Sequence, residues 1–329
     1  MRLLRDHRDE LGALVAATAD ALGIDAAFVE KDYWVVEVLR AATVPIQVTA
    51  KDGSRHPVRT IFKGGTSLGR VYGLIERFSE DVDLLVSFPQ LDIGIGSRDR
   101  VLKSIRDAVS AALGAEPIPG PATTGVKRYV RYPYPARYGS HEVTEGVLLE
   151  MGSRGGDFPT QQHELRSMIA NHAVGVLGEA DDTWDEFGAV PVDILAPERT
   201  LLEKLALLHD GASRYPYQAA RTKLRNGGRH LYDVHRLLGS ADVIAALSAL
   251  GSVGVADLCS DIDQHSEHAD FSFTPRPAVG YGGSPLVDPA WLGRDDLRQG
   301  YAAAMNLVYG ERPSFDRCLD TVRTNAALL

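Results

Sequence analysis

The sequence predicts an α+β lobe over residues 1–195 followed by an α-helical lobe over 196–329. Up to the AVPVDIL run at 189–195, short stretches rich in β-branched and aromatic residues alternate with helically spaced Leu, Val and Ala. From Pro197 onward the spacing is helical alone. Length agrees, because 329 residues is about twice a typical domain and implies two packed lobes.

In chain order, Leu11, Leu14 and Val15, then Val35, Val36 and Leu39, mark two helices broken near Gly23. PVRTIF at 57–62 reads as a strand entering Gly64 and Gly65, and 66–75 as a helix. DVDLLVSF at 81–88 is a strand bounded by Pro89. A helix over about 97–113 precedes the Pro/Gly-rich EPIPGPATTG, which reads as a turn. Strands follow over about 126–133 and 143–151, and Gly152 to Pro159 is a loop. Pro197 suits the first turn of a helix, so helical structure begins there, interrupted by loops at 210–226 and 264–289.

Hydrophobic residues make up 44% and charged residues 24%, a globular profile. A net charge of −9 argues against indiscriminate nucleic-acid coating, which depends on many Lys/Arg–phosphate contacts. Yet residues 199–236 hold eight Lys or Arg against Glu203, Asp210 and Asp233, and 237–275 hold none, a polarity compatible with one local anion-binding face. No apolar run reaches the roughly 18 residues of a bilayer span. The N-terminal MRLLRDHRDE is charged where a signal peptide would turn apolar, so a cytoplasmic location without membrane association is expected. Cys259 and Cys318 lack paired spacing and are expected to be reduced thiols.

The strongest chemical signal runs from Lys63 to Val86, KGGTSLGRVYGLIERFSEDVDLLV. On a strand Asp81 and Asp83 share one face while Val82 and Leu84 enter the core. At about 6–7 Å their repulsion is on the order of 2–3 kcal/mol, which an apolar sheet has no reason to carry without a divalent cation. Mg²⁺ suits an oxygen site shared with phosphates. Gly64 and Gly65 allow close backbone approach to an anion, and Thr66 can cap the helix or bind a phosphate oxygen. The loop is not a Walker A sequence, since Lys63 precedes the glycines.

Four further groups have two readings each. Lys204 flanks the Leu201/Leu205/Leu208 stripe, either as a boundary lysine or reaching a triphosphate. Arg229, Asp233 and Arg236 share one helix face, as a surface ladder or as part of a site. KRYVRYPYPARY (127–138) interleaves Arg128 and Arg131 with Tyr129 and Tyr132, either to guide single-stranded RNA or to pack tyrosines under arginine stems. Ser79 is a turn or capping serine, or aims into the cleft two residues before Asp81. Glu150, then Asp193, is the choice for a third carboxylate serving as general base. His230 and His235 read as helix-surface residues, and DIDQHSEHAD (261–270) as a solvated acidic loop without metal.

GGTSL, ERFSEDVDL, the upstream VEKDYWV (29–35) and the downstream LLEKLALLHD and RHLYDVHRL stand in the order of the AbiEii/MenT-type nucleotidyltransferase toxins, which the chain resembles over about 29–240. The terminal YAAAMNLVYGERPSFD is similar to that family's last helix and tail. The resemblance implies a polymerase-β-like nucleotidyltransferase lobe with a mixed sheet, with a helical lobe completing the nucleotide and acceptor cleft. It implies transfer of NMP from NTP, with Mg²⁺ or Mn²⁺ on Asp81 and Asp83, to an acceptor hydroxyl, foremost the 3′ end of tRNA. The nucleotide is expected on Lys63, Gly64, Gly65, Thr66, Ser79, Lys204 and Arg229, with Asp233 orienting Lys204 or an arginine. A cognate antitoxin and silencing by phosphorylation at Ser79 are implied as well. A protein-nucleotidylating enzyme and a non-catalytic nucleotide-binding regulator are the alternatives.

Overall fold

Helices α1 (Arg8–Leu22) and α2 (Ala26–Ala42) are separated by Gly23, whose φ of 65° ends α1 in the left-handed conformation, while the Asp25 side chain caps α2 by accepting from the Ala27 N–H at 2.8 Å. There follow β1 (Ile46–Thr49), β2 (Arg55–Lys63), α3 (Gly64–Arg70), β3 (Asp81–Ser87) and α4 (Ile95–Leu113), closed by Gly114. Next come β4 (Ile118–Thr123), β5 (Lys127–Tyr132), β6 (Val147–Gly152), β7 (Thr160–Leu165), α5 (Met168–Gly175) and β8 (Val190–Leu195). The remaining α-helices are α6 (Pro197–Ser213), α7 (Gln218–Asn226), α8 (Gly228–Leu238), α9 (Ala241–His268), α10 (Arg294–Ala304) and α11 (Phe315–Thr324). This is a computed structural model describing residues 2–79, 81–141, 143–268 and 273–329.

The chain forms two compact units. Unit 1 takes the chain up to Val71, Phe78–Arg154 and Thr160–Ile194; unit 2 takes Tyr72–Arg77, Gly155–Pro159 and Leu195–Leu329.

Unit 1 is built on an eight-stranded mixed sheet in the order β4-β5-β6-β3-β2-β8-β7, with β1 paired to β2. β3 pairs antiparallel with β2 and parallel with β6. Val82, Leu84 and Val86 of β3 are buried with Val130 of β5 and Leu149 and Met151 of β6. Helices α2 and α4 contact one another and this part of the sheet. Each such fully buried aliphatic side chain contributes about 1.5–3 kcal/mol.

Three strands depart from the sequence reading, of which β1 (Ile46–Thr49) is a four-residue strand paired with β2. EPIPGPATTG contains β4 rather than a turn, because an edge strand tolerates Pro119 and Pro121, and the register shifts between Pro119 and Ala122. β7, TQQHEL, is the other edge and has too few apolar residues to signal a strand.

In unit 2, α8 buries Leu231, Val234, Leu237 and Leu238 and contacts α6, α10 and α11. Segment 210–226, expected as a loop, contains the end of α6 and all of α7. α9 corrects two expectations. It carries DIDQHSEH as helix rather than loop, Asp270 lying outside the described residues. It is also long and apolar enough, by length and composition, to cross a membrane. The helix is broken at Gly251 (φ 65°, ψ 178°) and buries Val243, Leu247, Val255, Leu258 and Ile262.

Candidate active site

Strand register assembles the site face of unit 1. Lys63 of β2 pairs with Asp83 of β3, Asp83 with Glu150 of β6, and Glu150 with Tyr129 of β5. Paired residues project from the same sheet face, so these four form one transverse row. In the neighbouring row Asp81 pairs with Leu148, and Leu148 with Arg131. Asp81 stands where β3 begins, beside the start of β6 and the end of β5, and β2 ends nearby at Lys63. Burial, and then the charges of Glu150 and Asp83, raise the Tyr129 phenol above its ordinary value, an electrostatic mark of the acidic row.

The glycine turn fits against this row. Gly64 has φ +84°, and a Cβ there would lie 2.1 Å from Asp83 Oδ2. Only glycine allows that carboxylate so close to the turn. Thr66 neither caps α3 nor points outward: it is buried, its hydroxyl donates to the Asp81 carbonyl at 2.7 Å, and it lies 3.1 Å from Ser79 Oγ. The turn, Ser79 and the start of β3 are thereby tied together.

Asp81 and Asp83 offer hard carboxylate oxygens on one face, a donor set that fits Mg²⁺, which keeps waters and shares phosphate oxygens rather than demanding a protein cage. Among the described residues no group of three or more His, Cys, Asp or Glu is placed to hold a metal ion.

Other expected residues separate. Asp193 pairs in register with Ile61, and Arg59 donates to it at 3.1 Å, so it is outside the Asp83 row. The strand's period of two divides the proposed RNA set: Tyr129 and Arg131 share the carboxylate face, whereas Arg128 and Tyr132 take the other. There Arg128 meets Asp99 at 2.9 Å, and the fully buried Tyr132 donates its hydroxyl to the Arg106 carbonyl at 2.8 Å. The four residues do not make one RNA surface.

Unit 2 holds a buried ion cluster. Asp233, with 0% exposure, accepts from Arg77 Nε at 2.6 Å and Nη2 at 2.8 Å, and its Oδ2 lies 2.9 Å from Lys204 Nζ. Burial alone would raise the Asp233 carboxyl, but Arg77 and Lys204 outweigh it and hold it well below the usual carboxylate range. Burial lowers the Lys204 ammonium, only partly offset by Asp233. His230, read as a surface residue, has Nδ1 3.4 Å from Lys204 Nζ, and burial followed by the Lys204 charge pushes its pKa well below the ordinary value. Arg229 is exposed. Arg236 reaches the Leu74 carbonyl at 3.3 Å and Glu76 at 3.2 Å. Arg77 lies between the glycine turn and the Asp-x-Asp strand, inside ERFSEDVD, and its partner Asp233 is 156 residues away.

The basic run at 199–236 is largely ion-paired within unit 2, by acids inside the run and by acids from other elements. Arg199 meets Asp261 at 2.6 Å, Arg221 and Arg225 meet Asp296 at 2.9 and 2.7 Å, and Lys223 meets Asp210 at 2.6 Å. The expectation of one local anion-binding face there meets a set of ion pairs that engages most of these cations.

A mixed sheet presenting Asp-x-Asp beside a glycine turn defines a nucleotidyltransferase-type α/β unit. The family model described as nucleotidyl transferase AbiEii toxin, type IV TA system, matches residues 53–321, and the chain belongs to that family. It is accordingly a nucleotidyltransferase of a toxin–antitoxin system, with an NTP substrate and a cognate antitoxin. No curated protein matches the chain.

Proposed function

We propose that this toxin acts in the cytoplasm and transfers a nucleotidyl group from NTP to the 3′ hydroxyl of an RNA, foremost tRNA. The row Lys63–Asp83–Glu150–Tyr129, with Asp81 in the next row, carries this reading. The acceptor oxygen bonds to the α-phosphorus, the α–β phosphoanhydride breaks, and pyrophosphate leaves. Glu150 receives the acceptor proton. Mg²⁺ or Mn²⁺ held by Asp81 and Asp83 would supply neutralisation of phosphate charge. Lys63 and the Gly64–Thr66 turn lie on the phosphate side of the carboxylates. Incubation with labelled NTPs, Mg²⁺ and either total RNA or cell protein tests this. Label on RNA supports it, label on protein favours protein nucleotidylation, and label on neither favours a non-catalytic regulator.

Lys204 and Arg229 are proposed to bind triphosphate. Lys204→Ala should weaken NTP binding by about 1.5–3 kcal/mol through loss of a charge-assisted contact. An unaltered apparent NTP affinity would make Lys204 solely a partner of Asp233.

Ser79 is proposed as the regulatory hydroxyl. Its Oγ lies 3.1 Å from Thr66 Oγ1, whose hydroxyl fixes the Asp81 carbonyl, so a phosphate there would place about two negative charges beside the carboxylate strand. Phosphorylated Ser79, or Ser79→Asp as a weaker mimic, should lose NTP binding, whereas Ser79→Ala should keep substantial activity. Intact mass and activity measured after exposure to a kinase-like antitoxin decide the point: a fully active protein phosphorylated at Ser79 excludes it.

A further inference from the structure

VEKDYWV has no role in the site described so far, yet its helix α2 packs on β3 and β6 and reaches both α3 and the β5–β6 connection. Glu30, Lys31 and Asp32 are 3%, 0% and 5% exposed, an unusual fate for three consecutive charged residues. Burial of a charge demands partners, and each residue has a different set.

Glu30 accepts the backbone N–H groups of Arg137 at 2.9 Å and Tyr138 at 2.9 Å. Lys31 donates to the Thr144 carbonyl at 2.7 Å and to the Gly146 carbonyl, with its ammonium 5.9 Å from the Tyr134 ring centre. Trp34 stacks on Tyr134 at 5.3 Å. Six contacts therefore tie the described parts of the β5–β6 connection, 133–141 and 143–146, to α2. Asp32 instead pairs with Arg70 at the end of α3 and accepts the Met168 N–H at 2.6 Å. Phe28 stacks at 4.2 Å on Phe78, three residues before Asp81 in the sequence.

The register gives these ties a direction. The β5–β6 connection leaves the sheet at the Tyr132–Val147 pair, next to the row of Arg131, Leu148 and Asp81. The glycine turn leaves from Lys63, on the opposite side of β3. The carboxylates are thus flanked by the turn on the β2 side and the clamped connection on the β6 side. With phosphates on the turn side, the β6 side is left for the acceptor.

We propose that the β5–β6 connection is the acceptor platform and that Glu30 and Lys31 are positioning residues for it, while Asp32 acts through Arg70 on the nucleotide side. The platform takes an unpaired RNA 3′ end, with Arg131 and Tyr129 beside it on the site face. This rests on the nucleotidyl-transfer reading above for the identity of the acceptor.

The test measures binding separately from turnover. In full-length protein, Lys31→Met and Glu30→Ala should weaken binding of a short labelled single-stranded RNA by about tenfold or more, leaving Mg–NTP binding within about twofold. Glu30→Gln should restore RNA binding, because its amide oxygen still accepts from the two N–H groups. Arg70→Gln should show the reverse pattern. RNA binding unchanged in Lys31→Met and Glu30→Ala, or RNA and NTP affinities falling together with thermal stability, would overturn the proposal, as would a wild-type protein that binds no RNA. Wild-type protein that binds RNA in this pattern but transfers no nucleotide would sink the transfer reading and leave the platform standing.

Discussion

Asp81→Ala and Asp83→Ala are each expected to lose nucleotidyl transfer on the order of 10³-fold or more, with loss of growth toxicity and retention of the fold. Both carboxylates leave β3 on the site face, while the intervening Val82 and the following Leu84 are buried at 0% and 1%. Removing either acid therefore spares the core, so the cooperative fold should be retained. Asp83 stands in register between Lys63 and Glu150 and against Gly64, so its loss also opens the packing of the turn. Asp81 is held through its backbone by Thr66, a tie that Ala preserves. Single-turnover assays with labelled NTP, alongside circular dichroism, check both halves. Undiminished transfer by either variant excludes the metal and catalytic assignment of that residue.

The sequence could show the site face because a strand's period of two is local: Asp81, Val82, Asp83 and Leu84 state their sides by themselves. The same rule divides Arg128 and Tyr132 from Tyr129 and Arg131, and applying it strictly would have separated them without coordinates. Edge strands were illegible for a physical reason. β4 lies at the sheet's edge, where prolines are allowed, and β7 has a single buried residue, Leu165. The basic run at 199–236 misled because charge counting along the chain ignores partners such as Asp261, Asp296 and Glu76, supplied from distant elements. The pairing of Arg77 lacked a sequence signal, since only the fold brings Asp233 to it. The burial of Glu30, Lys31 and Asp32 was equally hidden: three consecutive charged residues in a largely apolar helix show no sign of burial until the carbonyls and N–H groups they serve are known.

Asp233→Ala should destabilise unit 2 by about 3–5 kcal/mol, because it removes a buried carboxylate bonded to both Arg77 and Lys204. Asp233→Asn should cost less, since its amide oxygen can still accept one hydrogen bond. The pH dependence distinguishes this from simple loss of packing. The folded-state pKa of Asp233 is depressed, so its stabilisation is fully present above the ordinary carboxylate value of about 4 and is lost as pH falls through the lower folded-state value. Urea unfolding of wild-type protein should therefore weaken in acid, and the difference between wild type and Asp233→Asn should narrow over that window. A variant as stable as wild type at neutral pH, or a stability gap that stays constant into acid, would show that the Arg77–Asp233–Lys204 cluster does not hold unit 2 together through charge.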